Sequence, residues 1–361
     1  MPDAPTPRVL HVITDPRPRG AQNLARDLHA ELLRRGHPSE LRALHPHPDA
    51  APDTTDAPVL GPSRHHPATL RALRTRAAGA DVVVAHGSST LQACALALLG
   101  SRTPFVYVNI GDPRHWTAST SRRLRVGAFL HRAAAVSAIS DGARAVLLER
   151  FRLPAARVRT IPNARSAADY PPAASAADRL RARAELGLPA DGPMVAWVGA
   201  LAPEKRPDLA LAVLDRLPAV RLALAGEGPL RSTLEAADTT GRAHFLGRLA
   251  DPAPLYRAAD ALLLTSDSEG VPGVLIEAAL AALPTVATDV GWVSDVVRDG
   301  LTGTLVPPGD PDRLAAALDH LLTTDPTPLA TAARTHALTH FDLPTVTDRW
   351  QDLLAEIATG R

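Results

Sequence analysis

The sequence predicts an α/β protein of two doubly wound domains, each a parallel sheet covered by helices. Short β-branched runs alternate with stretches of helical periodicity along the whole chain, the pattern of strand–helix–strand units. The alternation pauses at a small, polar, proline-containing stretch, Ala164 to Ala177, and starts afresh at Met194. The 361 residues are enough for two domains that each bury a core.

In the first half, Val9 to Thr14 reads as a strand, Asp15 to Gly20 as a loop, and Ala21 to Arg35 as a helix with Leu24, Leu28 and Leu32 on one face. Gly36 ends that helix and Leu41 to Leu44 can form a second strand. His45 to Pro67 has little periodicity and reads as a surface loop. Asp81 to Ala85, Phe105 to Val108, Ala135 to Ile139 and Val158 to Ile161 complete the strands, with helices between them. In the second half the strands are Met194 to Val198, Val220 to Ala225, His244 to Leu246, Ala261 to Thr265 and Thr285 to Ala287. Helices fall at Pro207 to Leu217, Pro229 to Ala237, Gly273 to Ala282 and Pro311 to Leu322, and a last amphipathic helix at Pro344 to Ile357. These elements predict domains at 1–170 and 171–342 and a terminal helix within 343–361.

Apolar residues make up 45% of the chain and charged residues 21%, ordinary values for a globular protein. No apolar run is long enough to span a membrane, and Met1 to Arg8 lacks the layout of a signal peptide, so a cytoplasmic protein is expected. The single cysteine, Cys94, lies in an apolar stretch and reads as a buried structural thiol; one cysteine excludes an internal disulfide. The net charge of +1 hides an asymmetry. Residues 1–170 carry 23 arginines against 13 acids, and residues 171–361 carry 16 basic against 25 acidic side chains. The surplus of arginine agrees with coding bias, and Lys205 is the only lysine.

The stretch richest in chemistry is Ser268-Glu269-Gly270-Val271-Pro272-Gly273-Val274-Leu275-Ile276-Glu277. It runs from the end of a strand into a helix, and open α/β sheets bind ligands at the carboxyl ends of their strands. Gly270 and Gly273 admit close approach of a ligand to the backbone, and the helix start offers N–H groups to phosphate. Glu277, two turns on, suits hydrogen bonds from ribose hydroxyls; Glu269 is either a ligand-facing carboxylate or only a charge that favours the helix macrodipole. Trp197 to Pro207 repeats the strand–loop–helix plan and carries Lys205, a compact cation suited to a pyrophosphate. Gly226-Glu227-Gly228-Pro229 forms a third such turn, and Phe245-Leu246-Gly247 ends a fourth strand.

On these pieces, with Gly20-Ala21-Gln22, Ile161-Pro162-Asn163 and Pro307 to Asp310, the chain resembles the retaining glycosyltransferases of family 4, which have the GT-B fold. The likeness covers nearly the whole chain, tightly in the second half and loosely in the first. It implies two Rossmann-like domains facing a central crevice, with the terminal helix packing back on the first. It also implies a sugar moved from a UDP- or GDP-sugar to an acceptor hydroxyl of a small molecule, secondary metabolite or glycan, with no metal or other cofactor. Glu277 would hold the donor ribose. Glu269, with the amides of Val271 to Leu275, would meet the donor sugar and phosphates, and Lys205 would neutralise the leaving diphosphate. Gly20, Gly199, Arg206, Glu227, Leu249, Gly270, Pro272, Gly273 and Val274 are further donor-side positions.

Departures from the family pattern matter. Ala200 stands where the family carries an arginine, for which Arg206 is the nearest substitute, and Arg19-Gly20 replaces a glycine pair. After Phe105 to Val108 the family's histidine is missing, and the chain reads Asn109-Ile110-Gly111-Asp112. That leaves His86 as an acceptor-side candidate, His115 as a weaker one, and Asp112 as either a general base or the turn residue before Pro113. Asp310-Pro311-Asp312 is the only Asp-x-Asp and reads as a helix cap rather than a metal site. The basic segment Arg122 to Arg132 is either a solvated face or a peripheral membrane contact; no nucleic-acid partner is expected. Two rival functions remain, a silent sugar-nucleotide-binding protein and a sugar-nucleotide epimerase.

Overall fold

The computed structural model describes residues 6–17, 19–47, 56–117 and 119–360, apart from the side chains of His115 and Trp116. It resolves into two compact units, one of residues 1–164 with 343–361 and the other of residues 165–342.

The first unit runs β1 (Val9–Ile13), α1 (Gly20–Arg34), β2 (Ser39–Ala43), α2 (Pro67–Ala77), β3 (Val82–His86), α3 (Ser88–Ala97), β4 (Phe105–Asn109), α4 (Pro113–Trp116), α5 (Thr120–Arg132), β5 (Ala135–Ala138), α6 (Asp141–Phe151) and β6 (Val158–Thr160). Its sheet has the order β2-β1-β3-β4-β5-β6, with every pairing parallel. All residues of β1, β3 and β4 are buried, as strands covered on both faces must be. Cys94 on α3 is buried, and burial pushes its thiol up to about 12, in keeping with a packing role.

The second unit runs α7 (Ala176–Glu185), β7 (Met194–Val198), α8 (Pro207–Arg216), β8 (Arg221–Ala225), α9 (Arg231–Ala237), β9 (Ala243–Gly247), α10 (Ala253–Ala258), β10 (Ala261–Leu264), α11 (Gly273–Leu280), β11 (Thr285–Thr288), β12 (Thr304–Val306), α12 (Pro311–Thr323) and α13 (Thr327–His340). Its sheet is likewise wholly parallel, in the order β12-β11-β10-β7-β8-β9. The chain starts in the middle at β7, winds out through β8 to β9, then returns to β10 on the other side. That reversal leaves a switch point between the carboxyl ends of β7 and β10.

The last helix, α14 (Leu343–Thr359), rejoins the first unit. Its buried stripe of Leu343, Val346, Trp350, Leu353 and Leu354 merges with Leu24, Leu28 and Leu32 of α1 and with residues of β1, β3 and β4 in one core. Arg35 adds hydrogen bonds to Asp348 and to the Pro344 carbonyl at 2.5 and 2.8 Å.

Several details depart from the sequence-based expectations, among them helices α7 and α10, which the sequence leaves unassigned. The units divide at Ala164–Arg165 rather than at 170/171, because Arg165 N–H donates to the Phe341 carbonyl and Ala167 N–H to the Asp342 carboxylate, tying this stretch to the second unit. Strand β12 escaped notice because it has only three residues. Helix α13 escaped because it lacks an apolar stripe, burying little but Ala333 and Ala337. Asp310 accepts a hydrogen bond from Arg313 N–H at 3.0 Å and caps α12, the role its Asp-Pro sequence suggests.

Trp350 is among the largest fully buried side chains. Trp350→Ala should therefore lower unfolding free energy by about 3–5 kcal/mol. Chemical denaturation checks this; a loss below about 1 kcal/mol would mean that α14 is not part of the first unit's core.

Candidate functional site

The switch point of the second unit gathers most of the polar groups singled out in the sequence. Its two loops, 199–206 after β7 and 265–269 after β10, are stitched together. The Trp197 indole N–H donates to Thr265 Oγ1 at 3.0 Å, and that hydroxyl reaches the Lys205 and Arg206 carbonyls at 2.9 and 2.8 Å. The Asp267 N–H donates to the Glu204 carbonyl at 3.0 Å. Lys205 Nζ donates to Glu269 Oε1 at 2.6 Å, and the Ser266 hydroxyl donates to the same oxygen at 2.6 Å. The lysine side chain is 28% exposed and the glutamate 8%, so the cation looks outward and the carboxylate fixes it from beneath.

Two glycines make this assembly possible. Gly226 has φ +153°, and a methyl group there would lie 1.7 Å from the Gly199 carbonyl oxygen. Gly291, φ +58°, backs the other loop, where a methyl group would lie 1.8 Å from the Glu269 carbonyl oxygen. Each carries a backbone contact that any side chain would break. The tight approach serves the chain itself.

Helix α11 begins beside Glu269 with no side-chain cap; the Leu275 N–H already donates to the Pro272 carbonyl at 3.2 Å, while those of Gly273 and Val274 have no acceptor within the helix. Val271, Pro272 and Leu275 are buried, while Gly270, Gly273 and Val274 are partly exposed. Glu277, on the second turn, is buried between two partners that the sequence did not suggest. Its Oε1 accepts from Arg165 Nε at 2.6 Å and its Oε2 from the Tyr256 hydroxyl at 2.7 Å. Burial, with the Glu277 charge, holds the Tyr256 hydroxyl well above its ordinary pKa and so keeps it a donor. Arg165 also lies against Gly273, where a methyl group would come within 2.3 Å of its Nη2. Arg165 was hidden in a stretch that reads as linker, and Tyr256 in a short helix; an arginine directly after Pro162-Asn163-Ala164 is the only signal that could have found the first.

The remaining donor-side positions are less central. Gly199 lies on the Trp197 ring, at 3.3 Å for a methyl group. Arg206 adopts the left-handed conformation with φ 50° and pairs with Asp208 at 2.8 Å and Asp267 at 3.4 Å. As a stand-in for the family arginine at Ala200, its charge is already held by two carboxylates. Glu227 is exposed and paired with Arg231, and Leu249 is half-buried in the β9–α10 connection.

In the first unit, Gly20 is the first residue of α1 and has no neighbour that a methyl group would touch. Arg17 and Arg19 pair with the buried Asp15 at 3.1 and 2.6 Å. Burial raises the Asp15 pKa, but the Arg17 hydrogen bonds and the Arg19 charge outweigh it and hold the carboxyl below its usual range. Asp112 caps α4, accepting from Arg114 N–H at 2.8 Å, and pairs with the Arg114 guanidinium at 2.6 Å. Its place is thus the turn before Pro113, and its commitment to Arg114 argues against a general base. His86 is 1% exposed, and its Nε2 shares a hydrogen bond with His11 Nδ1 at 3.0 Å. Burial drives His86 down to about 3, and burial with the neighbouring His86 and His29 drives His11 the same way. An enclosed neutral imidazole does not serve the acceptor side. The His115 side chain lies outside the described residues. On α5, Arg122, Leu124 and Arg125 are exposed and only Gly127 and Leu130 are buried; no helix among the described residues is long and apolar enough to cross a membrane.

Residues 18–167 match the family model described as Glycosyltransferase Family 4, and residues 192–324 match the model described as Glycosyl transferases group 1. The chain belongs to the family 4, group 1 glycosyltransferases. A D-inositol 3-phosphate glycosyltransferase of Mycobacterium tuberculosis is 42% identical over 157 residues, a match that spans 40% of this chain and only 32% of that relative. Anabaena HepE, solved in complex with UDP-glucose, superposes with a TM-score of 0.84 at 23% identity, over 97% of this chain and 100% of the other. Sucrose-phosphate synthase of Thermosynechococcus elongatus gives a TM-score of 0.82 at 21% identity, over 98% and 100%. At such identities these likenesses speak for the fold, GT-B. Lys205 and Glu269 thus meet at the switch point and Glu277 lies on the helix that leaves it, while Asp112 and His86 belong to the other unit.

The histidine pair gives the stability of the first unit a pH dependence. Both imidazoles are lowered in the folded state, so the unfolded chain binds more protons below its own pKa near 6.5. Stability should be full above that value and fall as pH drops below it, because each histidine kept neutral by the fold must be protonated on unfolding. Between pH 6.5 and 5, the His11→Gln/His86→Gln double variant should show a flatter decline in denaturation midpoint than the parent. Equal slopes would show that the pair titrates in the fold as it does in solution.

Proposed function

We propose that the transferase moves a sugar from a UDP- or GDP-sugar to an acceptor hydroxyl with retention of anomeric configuration and without a metal. The observation that carries this reading is Lys205, fixed by Glu269 at the switch point beside the uncapped start of α11. Departure of a nucleoside diphosphate places negative charge on the leaving oxygen, and preorganised positive charge and N–H donors favour that step. An ammonium has three donors, and its bond to Glu269 uses one. The N–H groups of Gly273 and Val274 in the first turn of α11 supply further donors at the helix start. Glu277 is held rigid by Arg165 and Tyr256, and each of its oxygens has a second lone pair with which to accept from ribose hydroxyls. Glu269 faces the donor sugar in this scheme. UDP-glucose, the ligand in the HepE structure, is the first donor to try. A hydroxyl-rich small molecule is the first acceptor class, in view of the inositol phosphate named for the mycobacterial relative. Retention follows the family resemblance. A cytoplasmic setting is part of the same proposal.

One observation favours a second reading, a protein that binds sugar nucleotides without turning them over. With Ala200 in place of arginine and Arg206 held by Asp208 and Asp267, the site is one cation short of the family pattern.

Turnover of UDP- and GDP-sugars by purified protein separates the readings. Activity should persist in excess EDTA, and the first product formed should keep the donor's anomeric configuration by NMR. Lys205→Gln should lower kcat by about 10²–10³-fold, the size of effect seen when a donor to a developing charge is removed. An inverted product, activity lost to EDTA and restored by magnesium or manganese, or a Lys205→Gln variant within threefold of the parent would each overturn the proposal.

A further inference from the structure

At the opposite, amino-terminal edge of the second unit's sheet lies a cavity of about 680 Å³. Its wall includes Gly192 and Pro193 just before β7, Asp260 before β10 and Pro284 before β11. Nothing in the transfer chemistry uses this edge.

Its charge is uneven in a way that points to a ligand. Arg183 is buried, and four of its five guanidinium N–H groups donate, to the carbonyls of Ala258, Ala190 and Gly192 at 2.9, 3.0 and 3.0 Å and to Asp260 at 2.7 Å. Asp260 also pairs with Arg179 at 3.1 Å, so one carboxylate faces two guanidinium groups. The excess positive charge rests on Arg179. Its side chain is 40% exposed and lines the cavity, so its charge is open to a ligand there. Around it the lining is apolar: Leu180, itself 47% exposed, with Leu283, Pro284 and Leu322. Ala282 in the same wall sits at φ 52° behind α11, a conformation that glycine adopts at lower cost, and it adds a methyl group to the lining.

We propose that this cavity binds a small organic anion, with its charged group on Arg179 and an apolar body against the leucine wall, and that its occupancy is felt at the donor site. The link is Tyr256, which lines the cavity and hydrogen-bonds Glu277 at 2.7 Å through its hydroxyl. This second part rests on the reading of Glu277 as the ribose partner. A ligand that shifts the Tyr256 ring moves one of the two groups that orient that carboxylate.

Calorimetric titration with phenyl phosphate, inorganic phosphate and benzyl alcohol tests the proposal. Phenyl phosphate should saturate a single site, and the two fragments should each bind at least tenfold more weakly. Arg179→Met should weaken phenyl phosphate at least tenfold, and so should Ala176→Trp, which fills the cavity mouth from an exposed position. With phenyl phosphate saturating, the Kd for UDP should change at least threefold, and the change should vanish in Arg179→Met and in Tyr256→Phe. Absence of saturable binding, or binding untouched by both cavity variants, would overturn the site. A UDP Kd that does not move, or a change that survives Arg179→Met as competition at the donor site would, overturns the coupling. Failure of UDP to bind the parent protein at all would count against the proposed function and leave the titration of the cavity to stand by itself.

Discussion

The bond between Lys205 and Glu269 is the constraint around which the second unit's chemistry is arranged. The two residues come from different strand–helix connections, and only the return of the chain from β9 to β10 makes β10 a neighbour of β7. The loops must then stay close enough for a 2.6 Å contact. The Thr265 hydroxyl, the Asp267 N–H and the glycines at 226 and 291 do this by holding the backbone, before any charge is considered. A partly exposed pair of this kind contributes at most about 1 kcal/mol to stability. Its value lies in orientation, since a lysine on a flexible four-carbon stem reaches a fixed place only if something holds it there.

Glu277 shows the opposite balance. Its pair with Arg165 is buried on both sides, with side chains 9% and 7% exposed, so the two charges depend on each other. Removing one partner of a buried pair costs about 3–5 kcal/mol, because the other charge is left without compensation. An alanine at Glu277 should thus destabilise the second unit as well as alter the proposed ribose contact, whereas the sequence alone suggests a ribose acceptor with no structural partner. Glu277→Gln, which keeps an acceptor for Arg165, is the cleaner probe of ribose recognition.

How far the sequence could be read depended on whether the signal was local. Strands β7 and β10 are continuous apolar runs that end in glycine-bearing turns, and the Glu269–Glu277 stretch announces itself by spacing, so the switch point was legible. The partners of those glutamates were not. Arg165 lies 112 positions from Glu277 and Gly291 supports Glu269 from beyond β11; such pairings arise from topology, which residue spacing does not encode. In the first unit, His86 looked well placed at a strand end, but its burial against His11 depends on a β1–β3 pairing far apart in the chain. Asp112 was readable both ways, and the hydrogen bond to Arg114 N–H decided for the cap.

The central claim is that the switch point formed by the loops after β7 and β10 is where a nucleoside diphosphate binds. Amide hydrogen exchange read by mass spectrometry, with and without saturating UDP, tests it most directly. Exchange should slow in peptides covering 199–206 and 266–277 and stay unchanged along α8 and α12. Protection confined to other segments, or none at UDP concentrations that saturate binding, would contradict the account.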